Sequence, residues 1–161
     1  MRSQVQGKGK NYWIWVTRPD YYLEDDGKPR ALLEPGRRIK DWWTCDKSTQ
    51  AGDLVLLYRT GPKSDIAYLL RAEQNASPIR GDPYATKMGW TYKCAFRSLY
   101  HFETPLTYRA MCADPDLGDW PALRGRFQRT AWPIPPTTFE HLNKVLGRMC
   151  PESQKVFAEA D

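Results

Sequence analysis

"NYWIWVTRPD", residues 11 to 20, is dense in aromatic and β-branched side chains. Such residues favour an extended, pleated backbone. Alternation along a strand sends Tyr12, Ile14 and Val16 to one side, and Trp13, Trp15 and Thr17 to the other. Both sets are largely apolar, so this strand belongs at the centre of a sheet covered on both faces. Pro19 ends it, because proline has no amide hydrogen to donate to a ladder.

Upstream, residues 1–10 are polar, basic and glycine-containing, and read as a flexible lead-in. Downstream, "DDGKPR" and "EPGRR" are turn clusters. In "IKDWWTCDK" (39–47) the adjacent Trp42 and Trp43 would point to opposite faces of a strand. "LVLLYRTG" (54–61) has the short apolar run of a buried strand. "IAYLLRAEQ" (66–74) pairs with it as a hairpin through "GPKSD", with helix as the alternative reading. Residues 76–89, holding two prolines and two glycines, are expected to be loop. "WTYKCAFRSLYHF" (90–102) alternates as a long, half-exposed strand. Residues 105–114 suit a short helix with Thr104 as cap and Pro105 at its first position. "LRGRFQRTAWPI" (123–134) is a basic loop running into a short strand. A last helix follows, with Phe139, Leu142, Val145 and Leu146 at helical spacing and Thr137 or Thr138 as cap.

Five or six strands with little βα alternation predict an α+β fold: a mixed, barrel-like sheet with peripheral helices. The chain has 161 residues, enough for one domain with its own core. That domain is expected over 11–150, with 151–161 as a C-terminal tail. Aromatics reach 13%, with seven Trp and nine Tyr. Leu, Ile and Val fill a small core with less bulk, so some of these rings are available for recognition. The net charge of +5 suits an anionic partner such as nucleic acid.

Several classes fall away. Cys45, Cys94, Cys112 and Cys150 form no C-x-x-C pair, and the histidines, His101 and His141, stand alone, so no zinc signature is present and the thiols read as reduced. No metal or other cofactor is expected. There is no apolar run of membrane-spanning length and no signal-like segment, which predicts a cytoplasmic protein without a membrane partner. No Ser/His/Asp or Cys/His arrangement and no phosphate-cradling glycine loop can be assembled, so the chain reads as a binding module and not an enzyme.

"YWIWVTRPD" resembles the opening strand of EVE domains, a PUA-like family with a Tyr-Trp-aliphatic-aromatic start before Pro-Asp. Later landmarks fall in family order across residues 11–148: "AGDLVLLYRTG", an "IAxxxxA" strand, a long strand carrying a Trp, a Pro-started helix, and the basic "GRFQRTAWPI" loop. "DWWTC" is similar to the Trp-Ser/Thr stretch with which the related YTH domains form one wall of a modified-base pocket. Where EVE domains usually have "SEPD", this chain has "TRPD", and Arg18 offers a phosphate contact in place of an acid.

The resemblance implies a PUA-like reader of DNA or RNA whose modified base, a modified cytosine or methylated adenine, is flipped into an aromatic pocket. It implies Trp43 as a stacking wall, with Thr44 and Cys45 beside it. Trp15 or Trp13, Tyr58 and Trp90 are candidates for the second wall. Thr17, Thr44 and Gln128 can read base edges, and Arg18, Arg59, Arg124, Arg126 and Arg129 can hold phosphates. Trp120 and Trp132 read as packing. An effector nuclease or fused partner domain is also implied, the chain being either an excised module or one that works alone. The rival readings are an RNA-binding PUA-like module, a domain that binds or modifies small ligands, RNA or nucleosides, and a protein-contact domain.

Overall fold

Strand β1 (Tyr12–Thr17) lies between β3 (Leu54–Arg59) and β7 (Ala131–Pro133), parallel to the first and antiparallel to the second. Its two apolar faces demanded such an interior position. The computed structural model describes residues 10–18 and 38–160. The remaining strands are β2 (Arg38–Thr44), β4 (Asp65–Ala72), β5 (Ser77–Pro78) and β6 (Tyr92–Thr107). They form one mixed sheet in the order β2-β6-β4-β3-β1-β7, with β5 added to β6. Register shifts interrupt the β3–β4, β4–β6 and β2–β6 ladders. Such bulges bend strands and increase twist, and the sheet curls into a half-barrel whose two ends are β2 and β7.

One apolar layer lies under the helices. Ile14, Val16, Leu54, Leu56, Ile66 and Phe102 pack there with Phe139, Leu142 and Leu146 of helix α4 (Pro136–Met149) and Phe157 of helix α5 (Ser153–Ala160). Side chains of this kind contribute about 1.5–3 kcal/mol each when fully buried. The other layer is built from Trp13, Trp15, Trp43, Val55, Leu57, Tyr68, Leu70, Cys94 and Phe96. At its margin Asp53 accepts hydrogen bonds from the Asn11 amide (3.1 Å), Trp13 Nε1 (2.9 Å) and the Gln50 amide (2.9 Å), which ties the start of β1 to the turn before β3.

Four local expectations change. Residues 83–88 form helix α1 (Pro83–Met88) within the expected loop: Asp82 caps it through the Ala85 amide at 3.1 Å, and Gly89 closes it at φ 77°. Proline and glycine here mark the two ends of a helix. The next helix, α2 (Tyr108–Cys112), starts later than expected and is capped by Thr107, because β6 runs on through Thr104 and Pro105 to pair Leu106 and Thr107 with β4. Helix α4 begins at Pro136, and its cap, Pro135, makes no side-chain cap bond and lies two or three residues ahead of the expected threonine caps. The segment expected as a tail contains α5, whose Phe157 is 2% exposed. Helix α3 (Pro121–Arg124) and a 3-10 turn at Pro115–Leu117 complete the set. The lead-in 1–9 and the turn clusters between 19 and 37 lie outside the described residues. Among the described residues no helix is long and apolar enough to cross a membrane.

Candidate functional site

Where the two ends of the curled sheet approach one another, an open cavity of about 350 Å³ remains. The end of β1 supplies Val16, Thr17 and Arg18; β2 supplies Trp43; the end of α1 and its exit supply Met88 and Trp90. Thr60 and the segment from Arg126 to Thr130 close it. The topology explains the location: β2 and β7 are not hydrogen-bonded to each other, so the half-barrel has a gap at this point.

The paired tryptophans of β2 divide as alternation requires. Trp43 lies opposite Cys94 on β6 and turns inward, 6% exposed, so a limited part of its ring reaches the cavity. Trp42 lies opposite Ala95 and turns the other way, with the Lys93 ammonium 5.7 Å from its ring centre. Trp90 meets both, at 5.3 Å from Trp43 and 6.3 Å from Trp42. It is half-buried, and its amide donates to the Ala85 carbonyl at 2.9 Å, so the left-handed Gly89 turn fixes the indole beside α1. Tyr84 of α1 approaches Trp90 edge-on at 5.5 Å.

The opposite rim is the "GRFQRT" loop. Arg126 and Phe127 hold φ of 56° and 51°, in the left-handed region that side chains seldom adopt. Contacts hold them there. The Arg126 and Phe127 amides donate to Leu123 and Ala122 carbonyls at 3.0 and 2.9 Å, and the buried Phe127 ring lies 4.3 Å from Tyr58 and 5.4 Å from Trp120. Gly125 also lets the turn pack closely: a Cβ there would meet Trp132 at 3.1 Å and the Pro121 carbonyl at 3.2 Å, tighter than ordinary contact. With Phe127 anchored inward, the exposed Arg126, Gln128 and Arg129 stand around the cavity. Arg129 rests over the Trp132 ring at 4.2 Å, a cation–π contact that keeps the guanidinium oriented. Strained backbone of this kind concentrates at ligand-binding and switch regions. Arg129 and Thr130 also border an adjoining, more polar hollow with Asp46, Lys47, Thr91 and Tyr92.

Among the described residues, three arginines and no carboxylate line this cavity. Its interior combines apolar rings with hydroxyl, amide and guanidinium groups. That favours a flat, acceptor-bearing ligand attached to negative charge.

Of the residues singled out from sequence, Trp43, Trp90, Thr17, Arg18, Gln128, Arg126 and Arg129 come together here. The others stand elsewhere, each for a physical reason. Trp15 is fully buried in the sheet's centre, edge-on to Phe96 at 5.7 Å. Trp13 gives its Nε1 to Asp53. Tyr58 faces the helix-covered layer, where burial pushes its hydroxyl pKa up despite a hydrogen bond with Ser64. Arg59 is committed to Asp65 through two bonds of 2.8 Å, Nε to Oδ1 and Nη2 to Oδ2, with both side chains below one tenth exposed, so its charge is spent inside the fold. Thr44 is 3% exposed and Arg124 is exposed on α3, and neither lines the cavity. Sequence reasoning missed Met88, hidden by the loop assignment, and Phe127, whose inward anchor role depends on the left-handed turn.

Two other clusters are accounted for by structure. Asp114 accepts from the Asp116 amide at 2.9 Å to start the 3-10 turn, and lies 2.6 Å from His141 Nε2 on α4. With Asp116 these make a group of metal-ligating type outside the cavity, held together as a tie between turn and helix. Cys45 and Cys94 share a thiol hydrogen bond beneath Trp43; that bond and burial push the Cys45 thiol far up, while the same bond draws Cys94 down.

No protein-family model and no curated protein matches the chain. Solved structures do. The human THYN1 protein in complex with 5-methylcytosine-containing DNA aligns over 88% of this chain and 98% of that one, at TM-score 0.63 and 12% identity. The DUF55 domain of human thymocyte nuclear protein 1 covers 84% and 98%, at TM-score 0.61 and 13% identity. Rpa0253 from Rhodopseudomonas palustris covers 86% and 92%, at TM-score 0.62 and 18% identity. The overall fold of this chain is therefore shared with these structures.

Proposed function

We propose that this protein is a non-enzymatic reader of nucleic acid that receives a modified base, in the first instance a modified cytosine in DNA, in the cavity between β1, β2 and the 126–130 loop. One observation carries the reading: Trp43 and Trp90 meet at a cavity whose charged lining, among the described residues, is Arg18, Arg126 and Arg129. A flipped base offers two flat faces and a polar edge. Indoles take a face, worth about 1–3 kcal/mol per stacked base. Thr17, Thr60 and Gln128 supply hydroxyl and amide groups for the edge, and the three guanidiniums attract the flanking phosphates. Among the described residues the lining contains no Asp, Glu, His, Cys or Lys, so its threonine hydroxyls have no general base beside them. This favours binding over turnover. The human THYN1 neighbour, found with 5-methylcytosine DNA, supports the choice of ligand.

The test is a titration of fluorescent oligonucleotides, DNA and RNA, with and without 5-methylcytosine, at two salt concentrations. A methyl group is worth about 1–3 kcal/mol of discrimination, and phosphate contacts make affinity fall with salt. Salt-sensitive preference for the modified DNA is expected. Preference for RNA without regard to methylation would move the assignment to an RNA-binding module, and appearance of a new product by mass spectrometry would make the protein an enzyme.

A further inference from the structure

Among the described residues two large apolar side chains are strongly exposed, Tyr84 at 47% and Met88 at 43%. Both belong to α1. Positions four apart lie on one face of a helix, so they form a single apolar knob, and Met88 is at the same time the cavity's lip. The knob is rigidly presented. Asp82 and Gly89 cap the helix at its two ends, Ala85 docks it at 1% exposure, and Tyr84 braces Trp90 edge-on. Exposing such groups contributes nothing to folding, and apolar surface beside a binding cavity marks a contact site.

We propose that Met88, with Tyr84 beside it, is a wedge that enters a DNA duplex and fills the vacancy left when the recognised base turns out into the cavity. The inference rests on the reader function above. Apolar side chains, methionine among them, insert between base steps of a duplex, and the gap left by a base that has turned out of the stack offers such a side chain a place that needs no further unstacking. The surroundings suit the same partner: Lys87 is exposed between the two residues, and Arg126 and Arg129 stand around the same cavity. Asp82, the acidic group on this element, is engaged in capping. A base already unstacked in a single strand leaves no vacancy, so the wedge matters for duplexes alone.

The experiment compares Met88→Ala with the unaltered protein on one oligonucleotide, with and without 5-methylcytosine, offered as a single strand and as a duplex, by fluorescence anisotropy. The substitution is expected to weaken duplex binding about tenfold and single-strand binding by no more than about threefold. Met88→Leu, which keeps the apolar volume, is expected to restore duplex binding. Thermal unfolding of both variants checks that the fold is unchanged, as exposure of the side chain predicts. Equal losses on both probes would make Met88 merely a cavity wall and overturn the wedge while leaving the reader intact. Undiminished duplex binding would overturn it too. If the unaltered protein ignores the methyl group on both probes, the reader reading itself falls and the wedge with it.

Discussion

The two faces of the sheet solve different problems with different residues. Under the helices, Leu54, Leu56, Ile66, Leu69, Leu142 and Leu146 are fully buried among phenylalanines such as Phe102 and Phe139. On the opposite face stand Trp13, Trp15, Trp43 and the half-buried Trp90, four of the seven tryptophans in the chain. Aliphatic chains close a layer completely because they conform to one another. Large rigid rings at the open end of a half-barrel leave a shaped gap, and the cavity is that gap. Trp43 and Trp90 stand where the sheet does not close, while Trp13 and Trp15 are buried within it.

Substitutions at matched depth break this comparison most directly. Trp43→Ala removes a nearly buried ring and is expected to cost about 3–5 kcal/mol of stability together with most ligand affinity. Leu142→Ala is expected to cost about 2–5 kcal/mol while affinity per folded molecule stays unchanged. Denaturant unfolding and binding titration on both variants check the pair; a binding defect in Leu142→Ala would mean that the two faces are not independent.

Trp90 sharpens the contrast, since it is half-buried at the margin of its layer. Trp90→Ala is expected to cost about 1–3 kcal/mol in binding and less in stability than Trp43→Ala. Calorimetric titration beside a melting curve separates the two losses. Arg126→Ala belongs to the rim alone: affinity should fall for modified and unmodified DNA alike, and the log–log salt slope should drop by about 1. Arg59→Ala should instead act through stability, because its partner Asp65 would be left buried and unpaired.

The smallest expected effect is one of pH. His101 stacks on Tyr68 at 4.6 Å, and burial, followed by the Arg59 charge, holds its imidazole pKa below the ordinary 6.5, against the opposing pull of Glu103 and Asp65. A lowered folded-state pKa means that the neutral ring stabilises the fold above pH 6.5, and that this contribution is lost as pH falls from there through the folded value. Unfolding free energy measured from pH 7 to 5 should decline, and His101→Phe, which keeps a ring against Tyr68, should flatten that part of the profile.

Some of this was written in local patterns. The alternation of Tyr12 to Thr17 required a central strand, the pairing of 54–59 with 65–72 followed from two apolar runs around a turn, and the opposed faces of Trp42 and Trp43 follow from a period of two. Tertiary structure decided which polar and aromatic groups share a cavity. Arg59 and Arg126 are both arginines beside turns, yet one is locked to Asp65 and the other is free to stand at the rim, because strand register brings Asp65 opposite Arg59. Tyr58 turns away while Trp90 turns in, a matter of which face each strand position presents after the sheet has curled. Met88 became visible once Asp82 and Gly89 acted as caps and not as loop breakers. Periodicity is a property of neighbours along the chain and can be read there; the meeting of β2 with the 126–130 loop depends on accumulated twist and bulges across the sheet, to which every strand contributes.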